Sequence, residues 1–173
     1  MVKELQSHQI DSLVQFVNQA YRGESSKKGW TTEADFLGGQ RIDASMVKDA
    51  MTNKDRSILV IETEGKLDSC CEVKLHGSDA VEIGMICVSP ERQGQGLGKR
   101  MIQLAEAYAL EKWPQLCRFE MFVISERPEL IQWYKKLGFK DTGRRAPFPM
   151  NDPKYGIPKV EKIEFIIMDK AAG

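Results

Sequence analysis

The stretch ERQGQGLGKR, residues 91–100, sets Gly94, Gly96 and Gly98 at alternate positions between the apolar run VEIGMICV (81–88) and a long amphipathic segment. Glycines this dense exceed what a tight turn requires. Two phosphate-binding motifs fail on their residues. A P-loop needs glycine, four residues, then Gly-Lys-Ser or Gly-Lys-Thr; Gly98-Lys99 is present, but Gln93 leads and Arg100 follows. A dinucleotide fingerprint needs GxGxxG, and its last position falls on Lys99 or Met101, counted from Gly94 or Gly96. What survives is a strand end, a bare backbone and a helix start whose first N–H groups lack partners, which suits an anion. Lys99 and Arg100 add local positive charge.

Working outward, Met101, Leu104, Ala105, Tyr108 and Ala109 recur at helical spacing until Trp113-Pro114. RFEMFVI (118–124) returns as a strand, Pro128 opens a helix, and Gly138 closes it. Upstream, SILVIETEGKLDSCCEVKL (57–75) reads as a hairpin turning around Glu64-Gly65-Lys66. VEIGMICV is apolar on both faces toward its end, which predicts a central strand. Ile10, Leu13, Val14, Val17, Ala20 and Tyr21 predict an amphipathic helix over 8–21, and a second, short one spans 43–53. The polar, glycine-punctuated segment 22–43 lies between them, and Thr32 to Asp35 resembles the capping box of a short helix. A proline-rich connection, RRAPFPMNDPKYGIPK (144–159), leads to a last strand, KIEFIIM (162–168).

At 173 residues, without a linker-like tract, the chain fits one domain. Its 25 basic and 25 acidic side chains cancel, so no global field recommends nucleic acid or an anionic membrane as partner. The start, MVKELQSHQIDSLVQF, lacks a signal-peptide core, and no apolar run reaches about 18 residues. The expected setting is cytoplasmic, with the nucleus left open. Cys70, Cys71, Cys87 and Cys117 show no CxxC spacing, and Cys70 and Cys71 should point to opposite faces of their strand. Reduced buried thiols are expected, and with His8 and His76 isolated, no metal site is.

Gln93-Gly94-Gln95-Gly96-Leu97-Gly98 resembles the Q/R-x-x-G-x-G/A motif of the GNAT superfamily of N-acetyltransferases. Met85-Ile86-Cys87-Val88-Ser89-Pro90 looks like the end of that family's fourth strand, and Trp133-Tyr134-Lys135-Lys136-Leu137-Gly138-Phe139 looks like its YEKLGF segment. The resemblance spans most of the chain. It implies a single α/β (α+β) domain over 1–173: a mixed, mostly antiparallel sheet, splayed between the family's fourth and fifth strands and flanked by helices. Residues 1–55 would form the substrate side, 56–140 the acetyl-coenzyme A core and 141–173 the closing loop and strand. The family implies acetyl-coenzyme A as cofactor, with its pyrophosphate on the amides from Gln93 through Gly94, Gln95, Gly96, Leu97 and Gly98 to Lys99. Pantetheine would lie along Ile86, Cys87 and Val88.

Acetyl transfer to an amine requires a base for the ammonium proton and an acid for the leaving thiolate. Tyr134 stands where the family's tyrosine acts as that acid; a phenol with a reference pKa near 10 is protonated at neutral pH. Glu82 resembles the glutamate general base of the superfamily's histone acetyltransferases, with a water chain as the other option. The family often has a pantetheine-contacting asparagine seven residues before the tyrosine. Here that position is Arg127, suited to a coenzyme A phosphate, to an acidic substrate group, or to an exposed helix start.

The acceptor site of this superfamily is built from the first helices and the connection before the last strand. Tyr21, Arg22, Trp30, Thr31 and Glu33 are the candidate contacts, an aromatic wall with polar hooks. A small amine would need a pocket closed by the loops around Trp30 and Phe148; a peptide amine would need an open groove. GWTTEADFLGG also resembles a feature of one poorly characterised subgroup, which names no acceptor. The expected activity is direct acetyl transfer to a primary amine in a ternary complex, by a monomer or homodimer. The competing class is a catalytically weak acyl-coenzyme A sensor or binding module.

Overall fold

The computed structural model describes residues 1–173. A seven-stranded sheet runs in the order β1 (Val2–Glu4), β3 (Arg56–Thr63), β4 (Lys66–His76), β5 (Ala80–Val88), β6 (Arg118–Ile124), β9 (Glu164–Ala171) and β7 (Lys140–Pro147). Every neighbouring pair is antiparallel except β5 and β6, which α4 (Leu97–Lys112) connects as a crossover. The β3–β4 turn has Glu64 at φ 53° and Gly65 at φ 76°, the two positive values that match a hairpin's twist.

Helices cover both faces. On one, α1 (Ile10–Tyr21) and α3 (Ala44–Thr52) bury Leu13, Val17, Val47 and Ala50 with Cys70 and Cys87. On the other, α4 and α5 (Pro128–Lys136) bury Met101, Ala105, Ile131 and Tyr134 with Cys71 and Ile83. Cys70 and Cys71 therefore face opposite sides, as strand alternation requires. The Asp43 side chain accepts from the Met46 amide at 2.9 Å and starts α3. A single helical turn, α2 (Gly23–Ser26), and a two-stranded ribbon of β2 (Leu37–Gly38) with β8 (Ile157–Pro158) complete the domain.

The sheet opens at its centre. β5 and β6 pair only where Ala80, Val81 and Glu82 meet Arg118, Phe119 and Glu120. Between β4 and β5 the register slips: Cys70 opposes Cys87 but Glu72 opposes Gly84, so Cys71 faces both Met85 and Ile86. Met85 takes φ 51°, rare for a residue with a side chain, and the bulge bends β5 away from β6. Side chains take over for the missing strand partner: the Tyr21 hydroxyl donates to the Ile86 carbonyl at 2.5 Å, and Gln93 Nε2 donates to the Val88 carbonyl at 3.1 Å.

Three expectations change. Thr32–Asp35 forms a turn, and the short helix lies earlier, at Gly23–Ser26. The Thr32 carbonyl is drawn to the Arg127 guanidinium at 2.7 Å, and the Phe36 and Leu37 amides share the Glu33 carbonyl at 3.0 and 2.9 Å, so the segment closes a single turn. Residues Lys140–Pro147, the last four of which belong to what reads as a connection, form β7 at the sheet edge, where a terminal proline is tolerated. Val2–Glu4 adds the opposite edge strand.

Candidate active site

The loop that opens α4 is a run of free donors. No protein group accepts from the amides of Gly94, Gln95, Gly96, Leu97, Gly98 or Lys99; the first helical bond runs from the Arg100 amide to the Gly96 carbonyl at 3.0 Å. Gly94 and Gly96 hold φ 76° and 77°, the left-handed conformation that turns successive N–H groups to one side. A Cβ on Gly98 would approach the Trp133 ring to 3.4 Å, so helix and indole pack at contact distance there.

Beside this loop lies a mostly apolar cavity of about 450 Å³ in the gap between β5 and α5. Ile86, Cys87 and Val88 form one wall, with Gln93, Gly94, Gly96, Leu97, Gly98 and Lys99 at the end beside the glycine loop. Trp133 and Leu130 of α5 form another wall, and Trp30 and Thr31 close it, Trp30 meeting Trp133 edge to face at 5.5 Å. The Thr31 hydroxyl is buried without a partner. Gln95 does not line the cavity; its side chain reaches back to the Glu91 carbonyl at 3.2 Å.

Tyr134 marks the inner end. It is 7% exposed, and its hydroxyl has no hydrogen-bond partner in the protein. It lines both the first cavity and a narrow neck of about 70 Å³ under the β5 bulge. Burial pushes its phenol well above the ordinary value, so the hydroxyl keeps its proton across the neutral range. Tyr21 lines the same neck, but its hydroxyl is spent on the Ile86 carbonyl.

Beyond the neck a polar cavity of about 380 Å³ opens on the α1–α3 face, and Glu82 stands on its floor. Neck and polar cavity share Glu33, Arg41, Ile124 and Phe165 as lining, so the two adjoin. The Glu82 carboxylate lies beside Gly84, where a Cβ would make an ordinary contact with Oε1 at 3.5 Å. Burial raises the Glu82 carboxyl above its usual value, against the opposing charge of Lys74. The neighbouring acid, Glu120, pairs with Glu82 in the parallel register but differs in kind. Burial would raise it too, yet bonds from Arg144 at 2.7 Å, Arg118 at 3.1 Å and His76 hold it low as a fixed anion. Of the two, Glu82 has no cation within salt-bridge distance and is the one with capacity to take a proton.

The substrate-side expectations divide. Trp30 and Thr31 line the first cavity, not the polar one, because Arg127 pulls their carbonyls toward α5. Glu33 reaches the polar cavity with its carboxylate paired to Arg22. Arg127 itself is 6% exposed, so it is not an exposed helix start, and it lines the neck rather than the first cavity. It donates to the carbonyls of Trp30 at 2.5 Å and Thr32 at 2.7 Å and pairs with Glu129. Exchange for Met should therefore free the Trp30 loop. The expected loss is about 2 kcal/mol in urea unfolding, since it strands buried carbonyls. Arg92, Leu130 and Trp133 line the first cavity and Arg41 the neck without having stood out in the sequence. Trp133 adjoins Tyr134 in the quoted motif, and that was the available signal.

No cluster of three or more His, Cys, Asp or Glu side chains is arranged to hold a metal, and no helix is long and apolar enough to cross a membrane. Comparison with known proteins gives the family. The acetyltransferase (GNAT) domain matches residues 54–141. No curated protein sequence matches. Among solved structures, a protein of Streptococcus mutans UA159 superposes with TM-score 0.75 at 16% identity, covering 100% of this chain and 99% of that one. The ribosomal-protein-S18-alanine N-acetyltransferase of Escherichia coli gives 0.70 at 12%, covering 100% and 94%. An aminoglycoside 6'-N-acetyltransferase complexed with coenzyme A gives 0.66 at 14%, covering 100% and 97%. At such identities the structures share the fold, and the domain match carries the assignment: with its glycine loop, its opened β5–β6 gap and a domain match over residues 54–141, the chain belongs to the GNAT acetyltransferase family.

Proposed function

We propose that the protein is an acetyl-coenzyme A-dependent N-acetyltransferase acting on a primary amine. The observation that carries this reading is a row of adjoining features: unpartnered amides at Gly94–Lys99, an apolar cavity, Tyr134 at its inner end, and a polar cavity lined by Glu82. Acetyl-coenzyme A, when bound, supplies a thioester and a diphosphate at opposite ends of an amide-bearing chain. The residues fit it: the free amides suit a diphosphate, the partnerless Thr31 hydroxyl suits an amide, and the apolar walls suit the chain between them.

The protein's own groups divide the proton work. Glu82, its carboxyl raised by burial, accepts the proton of the acceptor's ammonium, directly or through water. The amine nitrogen would then form its bond to the acetyl carbon as the carbon–sulfur bond breaks, and the second proton it sheds as the amide forms would return through water to the Tyr134 oxygen once that group has protonated the sulfur. Tyr134 holds the proton for the departing sulfur on a hydroxyl that no protein group competes for. The Trp30–Trp133 contact and the Arg127 clamp hold the Trp30 loop beside this cavity.

The test incubates the purified protein with acetyl-coenzyme A and a panel of amines and amine-bearing peptides. Thiol release is followed, and native mass spectrometry reads the bound donor. Binding together with amine-dependent thiol release is the expected result. Binding with no transfer to any member would favour an acyl-coenzyme A sensor, and absence of binding would overturn the reading.

A further inference from the structure

The charges around the polar cavity do not balance one another in place. Arg22 pairs with Glu33, and Arg56 with Glu72 at 2.5 Å. Arg41, Lys74 and Lys154 line the same cavity with no carboxylate within salt-bridge distance, against only Asp49 and Glu82 on the acidic side. The buried Arg22 side chain adds an Nε donor that no protein group accepts.

Arg41 is the cation of this set at the neck. Its backbone amide and that of Ile42 both donate to the Asn18 side chain, at 2.7 and 3.1 Å, which fixes where the residue leaves the chain. Its guanidinium then lies 5.5 Å from the centre of the Tyr21 ring. Stacking of this kind holds the planar group without using its N–H donors. Its charge acts on Glu82, Tyr21, Arg22 and Cys87, groups of α1, β5 and the residue between α1 and α2. A stacked, half-buried guanidinium with all its donors unspent, at the mouth between Glu82 and Tyr134, is built for a forked anion.

We infer that the acetyl acceptor is an aminocarboxylate, a small molecule whose carboxylate docks on Arg41 so that its amine stands at the neck between Glu82 and Tyr134. The inference rests on the transferase reading and narrows it to a substrate class. Lys74 and Lys154 contribute the field that draws the anion in, while Ile124, Phe148 and Phe165 offer an apolar wall for the acceptor's side chain. An uncharged amine leaves Arg41 facing water. A polyamine places a second cation against it, which the same geometry disfavours.

The experiment compares free α-amino acids with their α-amino amides, adding spermidine and an alanine-initiated peptide as further arms. It reads kcat/KM for thiol release, and in parallel calorimetric binding of each acid and amide to the coenzyme A-loaded protein. Acids are expected to exceed amides on the order of 30-fold in both measurements, the worth of a charge-assisted pair. In Arg41→Met that ratio should fall toward one, with Arg41→Lys in between, and circular dichroism checks that both variants fold. Amides, spermidine or the peptide equalling the acids, or a ratio that Arg41→Met leaves intact, would overturn the inference while leaving the transferase reading in place. Acid-selective, Arg41-dependent binding without turnover would do the reverse.

Discussion

Tyr134→Phe lowers kcat for amine acetylation by about 100-fold or more and leaves donor affinity within about twofold. The substitution deletes one oxygen and nothing that packs. The ring keeps its neighbours, Trp133 at 5.0 Å and Phe139 at 6.1 Å between centroids, and stays in the core cluster beneath α4 and α5. The lost hydroxyl bonds to no protein group, so the variant strands no buried partner. Its only loss is a proton donor at the inner end of the first cavity. Steady-state kinetics with calorimetric donor binding measures both quantities. An unchanged kcat would remove Tyr134 from the reaction, whereas a matching fall in donor affinity would make it a binding residue.

Glu82→Gln separates activity from stability in opposite directions. With the base removed, kcat/KM at neutral pH should fall about 100-fold. In the native enzyme kcat/KM should rise with pH as Glu82 deprotonates, through a midpoint above the usual carboxylate range, and the variant should lose that limb. The stability effect follows from the same shift. A carboxyl whose folded pKa is raised favours folding below its unfolded pKa, and that contribution is lost as pH rises through the folded value. At neutral pH the native chain therefore carries the cost of a half-buried charge, which the amide removes. Thermal unfolding at neutral pH should rise by about 2 °C in the variant and converge with the native curve in acid. A variant that is both active and less stable would contradict the role given to Glu82.

The parts of this molecule that could be read from the sequence are those where one local rule dominates. The glycine spacing at 94–98, the helical period of α4 and the hairpin at Glu64-Gly65 each depend on neighbours in sequence, and each appears as expected. Fold class comes with the family resemblance that the glycine motif and its flanking segments carry. What was hidden depends on distant contacts. The Trp30 loop is shaped by Arg127, nearly a hundred positions away, whose guanidinium binds the carbonyls of Trp30, Thr31 and Thr32. That one contact sets Trp30 and Thr31 against the first cavity rather than the polar one. β7 was obscured by its bulge between Asp141 and Arg145 and by prolines that only an edge position accommodates. Arg41 carries no motif, and its significance lies in the absence of a partner, a property no linear string displays.

The parting of β5 from β6 also bears on how the chain avoids its own kind. An opened sheet carries two interior strand edges, the sort of surface on which foreign strands add and aggregates begin. Here the edges are guarded rather than paired. Tyr21 and Gln93 occupy the carbonyls of Ile86 and Val88, and the Gln93 side chain also accepts from the Trp30 amide at 2.8 Å, drawing the loop across the opening. The breach is thus shielded from another polypeptide by side chains that also border the first cavity and the neck.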